Sequence, residues 1–127
     1  MAIPSGSGSE VLRNASINAN ASGSERLRRA TINANTGWNE ILSGTAGHIY
    51  TIISIIFCDN QAAAGTLGIR MNDGSNDIAI VDAQAHASYA TFVFSDRFVL
   101  EEDDDLDVYN SGSHGDWIVS YIDQDWT

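Results

Sequence analysis

The sequence predicts an all-β protein: an antiparallel β-sandwich of about eight strands, jelly-roll-like, with an extended N-terminal arm. Three observations predict it. Short runs of β-branched and aromatic residues recur along the chain, separated by Gly, Asn and Asp turns at regular spacing. No stretch carries a sustained helical period, and Pro occurs once, at position 4. Near the N-terminus a segment is duplicated: Ser7–Asn20 reads SGSEVLRNASINAN and Ser22–Asn35 reads SGSERLRRATINAN, with eleven of fourteen positions identical. Two copies are too few for a solenoid, which needs about three stacked units. The extra copy therefore lengthens a terminal segment, where chains tolerate insertion. Residues 1–21 read as the arm with the first copy, and residues 22–127 as the sandwich domain with the second.

Each copy contains an alternating piece. Val11, Ala15, Ile17 and Ala19 share one face of a strand; so do Ala30, Ile32 and Ala34, with Arg26 and Arg28 on their side. A helix over Glu25–Ala30 competes, but Gly, Ser and Asn flank it closely. Gly37–Leu42 reads as a short strand closed by the turn Ser43–Gly47. His48–Cys58 is the most apolar run, and β-branched residues make it a strand. Strict alternation puts Ile49, Thr51, Ile53, Ile55 and Phe57 on one face, and Tyr50, Ile52, Ser54, Ile56 and Cys58 on the other. Both faces are apolar, so this strand is central or meets another subunit on its second face. Ile53→Asp is expected to prevent folding, since each fully buried Ile or Phe contributes about 1.5–3 kcal/mol.

Thr66–Asn72 alternates with Leu67, Ile69 and Met71 inward; Asn72–Asn76 is a hairpin turn, because Asp73-Gly74 accommodates positive φ readily. Asp77–Asp82, Tyr89–Ser95, Phe98–Leu100, Asp105–Tyr109 and Asp116–Asp123 complete the strands. Ala83–Ala87 has the composition for a single helical turn.

A chain of 127 residues fits one domain. It carries seventeen acids, six Arg and no Lys, for a net charge of −11. That argues against nucleic acid and anionic membranes as partners, because phosphate contacts need cationic side chains. No run is long and apolar enough for a membrane span, and Met1–Gly6 lacks a basic n-region and an apolar h-region, so no signal peptide is read and synthesis in a cytoplasm is expected. A single cysteine, Cys58, excludes an intrachain disulfide framework and a cysteine-based zinc site.

Chemistry-bearing patterns are sparse. HExxH, GxSxG, P-loop and GxGxxG signatures are missing, and His48, His86 and His114 are scattered, so no catalytic residue is assigned and no enzyme is expected. Glu101–Asp105 with Asp107 offers oxygen ligands to calcium, yet it lacks the EF-hand spacing and Gly; the reading is an acidic loop between two strands, with no cofactor or metal. Asn14-Ala15-Ser16 and Asn20-Ala21-Ser22 match a glycosylation pattern but follow from Asn/Ser richness. Trp38, Trp117 and Trp126 read as core or interface residues, with a sugar-stacking platform as the competing reading. Four of the six arginines, Arg13, Arg26, Arg28 and Arg29, fall in the duplicated segment, a cationic strip on an acidic chain. Arg13, Arg26, Arg28, Arg29, Trp38 and Trp126 are the candidate partner-binding residues.

The two ends of the chain, Ala2–Arg13 (AIPSGSGSEVLR) and Val119–Thr127 (VSYIDQDWT), with Ile49–Cys58, Arg70–Gly74 and Phe98–Leu100 between them, resemble small virion structural proteins of tailed phages of marine bacteria, cyanophages among them. The second repeat copy departs from that pattern. The resemblance implies a non-enzymatic β-domain on the exterior of a virion. In that setting the favoured role is a capsid decoration (cement) protein, a homotrimer bound to the major capsid protein and to copies of itself. The competing role is a tail-fibre or adhesin module binding host-surface glycans.

Overall fold

The computed structural model describes residues 24–127, so Arg13 and the whole first repeat copy lie outside the described residues. Seven strands make up the described chain: β1 (Ser24–Ser43), β2 (His48–Asp59), β3 (Gly65–Asn72), β4 (Asp77–His86), β5 (Thr91–Phe94), β6 (Phe98–Leu100) and β7 (Asp105–Asp125). All pairings are antiparallel and belong to one continuous hydrogen-bonded sheet.

β7 is the spine. β1 follows one of its edges from end to end, from Ser24 opposite Asp125 to Ser43 opposite Asp105. Along its other edge β3 and β2 pair in series, β3 with Asp105–Asn110 and β2 with Gly115–Asp125. β4 extends the sheet beyond β3, and β5 and β6 both extend it beyond β2. The sheet thus has two wings that meet where β1 shifts register between Asn35 and Gly37. Gly37 has φ +104°, a conformation other residues adopt only with strain, and this permits the bend.

Two pairs of expected strands are therefore single long strands. The alternating piece of the second repeat copy continues through the bend into the Trp38 segment, and Asp105–Tyr109 continues through Ser111–Gly115 into Asp116–Asp123. The Gly/Ser stretch Ser111–Gly115 acts as a bend because β1 stays paired on both sides of it. The expected all-β, antiparallel architecture is present, as one continuous sheet that curls about its core. The expected helical turn near Ala83–Ala87 is also replaced: Ala83 has φ +51° within β4, beside register shifts against β3.

One apolar cluster fills the concave side. It joins Tyr50, Ile52, Ile55 and Phe57 of β2, Leu67 and Ile69 of β3, and Leu106, Val108, Trp117, Val119 and Tyr121 of β7. Ala34, from the second repeat copy, is buried in it, with Ala30 and Ile32 packed against it. A bulge between Ile52 and Ser54 corrects the face assignment of β2. An extra residue reverses the alternation from that point. Tyr50 and Ile52 face inward before the bulge and Ile55, Phe57 and Asp59 after it, while Ile53 lies half-buried on the convex side.

Candidate functional site: a carboxylate-free face of the sheet

The convex side of the wing built from β1, β7, β2, β5 and β6 is set by the same parity. Opposite residues in adjacent strands share a face. One row runs Leu27, Ile122, Thr51, Val99. Another runs Thr31, Ile118, Ile56, Val93. Between them lie Arg29, Ser120 and Ser54, with Ile53 displaced by the bulge. Leu27 is 74% exposed, Val93 57%, Val99 43% and Ile118 40%. A shallow groove of about 480 Å³ crosses the face between Leu27, Arg29, Ile53, Ser54 and Ser120.

Among the described residues no Asp or Glu occupies these three rows. Carboxylates begin in the flanking rows, where their oxygens already accept hydrogen bonds. Glu25 accepts from the Gln124 amide at 2.8 Å, and Asp116 accepts from the Asn33 amide and from the Asn60 amide at 2.6 Å. The sequence signal for this face was the apolar character of both sides of His48–Cys58. The contribution of Leu27, Ile118 and Ile122 has no local sequence signal, because it depends on the β1–β7–β2 pairing.

Among the described residues, the candidate partner-binding side chains Arg26, Arg28, Arg29, Trp38 and Trp126 are not brought together. Arg29 lies on the convex face. Arg28 turns to the concave side, where Nη1 lies 3.4 Å from Oδ2 of the buried Asp123, so its charge serves an internal pair. Arg26 sits opposite Asp123 in the register and helps hold the Asp125 carboxyl low, after the larger effect of hydrogen bonds from Thr127. Trp38, 41% exposed, belongs to the other wing; the Arg70 guanidinium covers its ring at 4.2 Å and Tyr109 lies 5.2 Å away. Trp126, 60% exposed, sits at the far tip, its backbone N–H donating to Gly47 O at 2.8 Å. Trp117 is fully buried. The three tryptophans therefore form no shared stacking platform.

The acidic loop is tied into local turns. Asp104 Oδ2 accepts from Glu101 N at 2.7 Å, Glu102 Oε2 from Gly47 N at 3.1 Å and Asp105 Oδ1 from Ser43 Oγ at 2.6 Å. Among the described residues no three His, Cys, Asp or Glu side chains converge as a metal site. His48 pairs through Nδ1 with Asp123 Oδ1 at 2.7 Å, whereas the His86 ring packs on Phe57 at 5.0 Å.

No protein-family model matches the chain, and no characterised protein matches it in sequence. Among solved structures it is similar to one described as "Bacillus endospore appendages form a novel family of disulfide-linked pili", at 13% identity and a TM-score of 0.52, over 90% of this chain and 99% of that one. At that identity the likeness concerns the fold alone.

Proposed function

We propose that this chain is a non-enzymatic structural subunit that assembles with copies of itself through the convex face of the β1–β7–β2 wing. The observation that carries the reading is the carboxylate-free apolar surface on a chain of net charge −11. Like-charged copies repel, and repulsion is weakest where no carboxylate meets another. Contiguous exposed apolar patches on soluble proteins mark contact surfaces. The fold shared with an appendage protein supports a subunit role at an external surface. A single cysteine can link a chain to only one neighbour, so disulfides alone cannot propagate a filament of these 127 residues.

The specific form we propose is the one implied by the resemblance of the chain's ends and central strand to phage virion proteins: a trimeric decoration protein on a capsid exterior, with a jelly-roll-type body and the arm reaching a neighbouring subunit. Light scattering tests the assembly step. The wild-type chain is expected to be multimeric, and Leu27→Glu with Ile118→Glu to be a monomer with an unchanged far-UV spectrum. A monomeric wild type at high concentration, or a variant that stays multimeric, overturns the reading. The position of the chain in a cryo-EM map of intact particles tests the capsid form.

A further inference from the structure

The slot that β1 fills against β7 has a second fitting occupant in the same chain. Within Glu25–Asn35 the residues facing the concave side are Arg26, Arg28, Ala30, Ile32 and Ala34, opposite Asp123, Tyr121, Val119, Trp117 and Gly115. The matching positions of the first repeat copy are Val11, Arg13, Ala15, Ile17 and Ala19. Four of the five are identical, including the arginine that meets Asp123 and the alanine that lies beside Gly115. The fifth exchanges Arg26 for Val11 at the outer end of the strand. Of the three differences between the copies, the other two, Asn14 for Arg29 and Ser16 for Thr31, fall on the convex face, away from the apolar core of the chain.

We propose that Glu10–Asn20 is an alternative β1 strand, able to replace Glu25–Asn35 against β7 of its own chain by a register change of fifteen residues. The chain geometry permits it. The first copy is long enough to cover Glu25–Asn35, and residues 21–35 would then leave as a loop that rejoins β1 at Thr36, beside the existing register shift at Asn35/Gly37. A loop of that length costs only a slowly growing closure entropy. The contiguous second copy, which needs no loop, holds the place at rest. When the first copy takes it, Arg13 replaces Arg28 at Asp123, and Arg26, Arg28 and Arg29 are released together on one loop. The exchange thus switches three arginines between a sheet and a free segment suited to an acidic surface.

The test uses Ala34, 1% exposed, where an Asp has no room and no partner. In full-length chains, Ala19→Asp alone is expected to leave thermal unfolding unchanged. Ala34→Asp is expected to keep a native far-UV spectrum and a cooperative melt, because the first copy takes over. The double variant is expected to lose both. A chain deleted for residues 21–35, which joins Asn20 to Thr36, is expected to fold. Equal behaviour of Ala34→Asp and the double variant, whether folded or unfolded, overturns the proposal, as does an unfolded deletion chain. Mass measured on folded Ala34→Asp carrying Leu12→Glu and Ile118→Glu, since Leu12 takes the convex-face position of Leu27 in the exchanged state, reads the source of the strand: a monomer supports own-chain replacement, and a multimer overturns it in favour of strand exchange between chains.

Discussion

Trp117 donates its indole N–H to the side-chain oxygen of Asn110 at 3.3 Å, across the bend where β7 passes from one wing of the sheet to the other. Both residues are almost wholly buried. Seven residues apart on one strand, they can meet only because the strand bends between them. The bond gives the largest core side chain its polar partner and holds the angle between the wings. Asn110→Ala leaves a buried donor unsatisfied, and is expected to lower unfolding free energy by about 1–3 kcal/mol. Urea denaturation measures the loss. A midpoint unchanged from wild type would show that the indole finds another acceptor.

The same bend explains Gly115. A Cβ there would collide with the Cε1 edge of the Phe57 ring, which itself packs on Trp117 at a centroid distance of 4.7 Å. Gly115→Ala is expected to destabilise by about 1–3 kcal/mol through overpacking. Phe57→Leu removes the ring that is struck, so the two changes together should cost less than the sum of the single changes. A double-mutant cycle reads this coupling; strict additivity would mean that the backbone, not the ring, resists the methyl group.

Ile52 and Ile53 are neighbours with opposite fates. Ile52 is fully buried and Ile53 is half-buried on the convex side, because the bulge falls between Ile52 and Ser54. Ile52→Asp buries a charge without a partner and is expected to prevent folding, whereas Ile53→Asp is expected to fold. Soluble yield and the far-UV spectrum distinguish them, and the reverse order would remove the bulge from the description of β2.

These residues also show what the sequence makes legible. β-branched runs and Asp-Gly punctuation place β2, β3 and the turn before β4 correctly, since local propensity and turn chemistry determine them. The bulge in β2 leaves no local mark, because Ile on either face satisfies the pattern; it is decided by pairing with β7. The fusion of expected strands into β1 and β7 likewise depends on partners far along the chain, and so does the role of Arg28, whose acceptor Asp123 lies 95 residues away. The candidate face was half legible: the second apolar side of β2 was plain, but the register that adds Leu27 and Ile118 to it is a tertiary property.

Acid should weaken the fold through Asp59. This carboxylate, 2% exposed at the end of β2, accepts backbone N–H bonds from Gln61, Ala63 and Tyr89, each at 3.0 Å. Those bonds, Gln61 first, hold its pKa below the usual carboxylate value despite the opposing effect of burial. They also tie the β2–β3 loop to Tyr89, which has φ +59° just before β5. A folded pKa below the unfolded one means that the stabilisation is fully present above the unfolded value, about 3.9, and is lost as pH falls through the folded value. The urea midpoint is therefore expected to hold steady from neutral pH down to about 5 as far as this group is concerned, then to fall. Asp59→Asn turns one acceptor oxygen into an amide that opposes a backbone N–H, so the variant should be weaker than wild type at neutral pH and should show a shallower acid limb. A wild-type midpoint that rises below about pH 4, or a variant whose acid limb matches wild type, would show that the charge of Asp59 does not stabilise the β2–β3 loop.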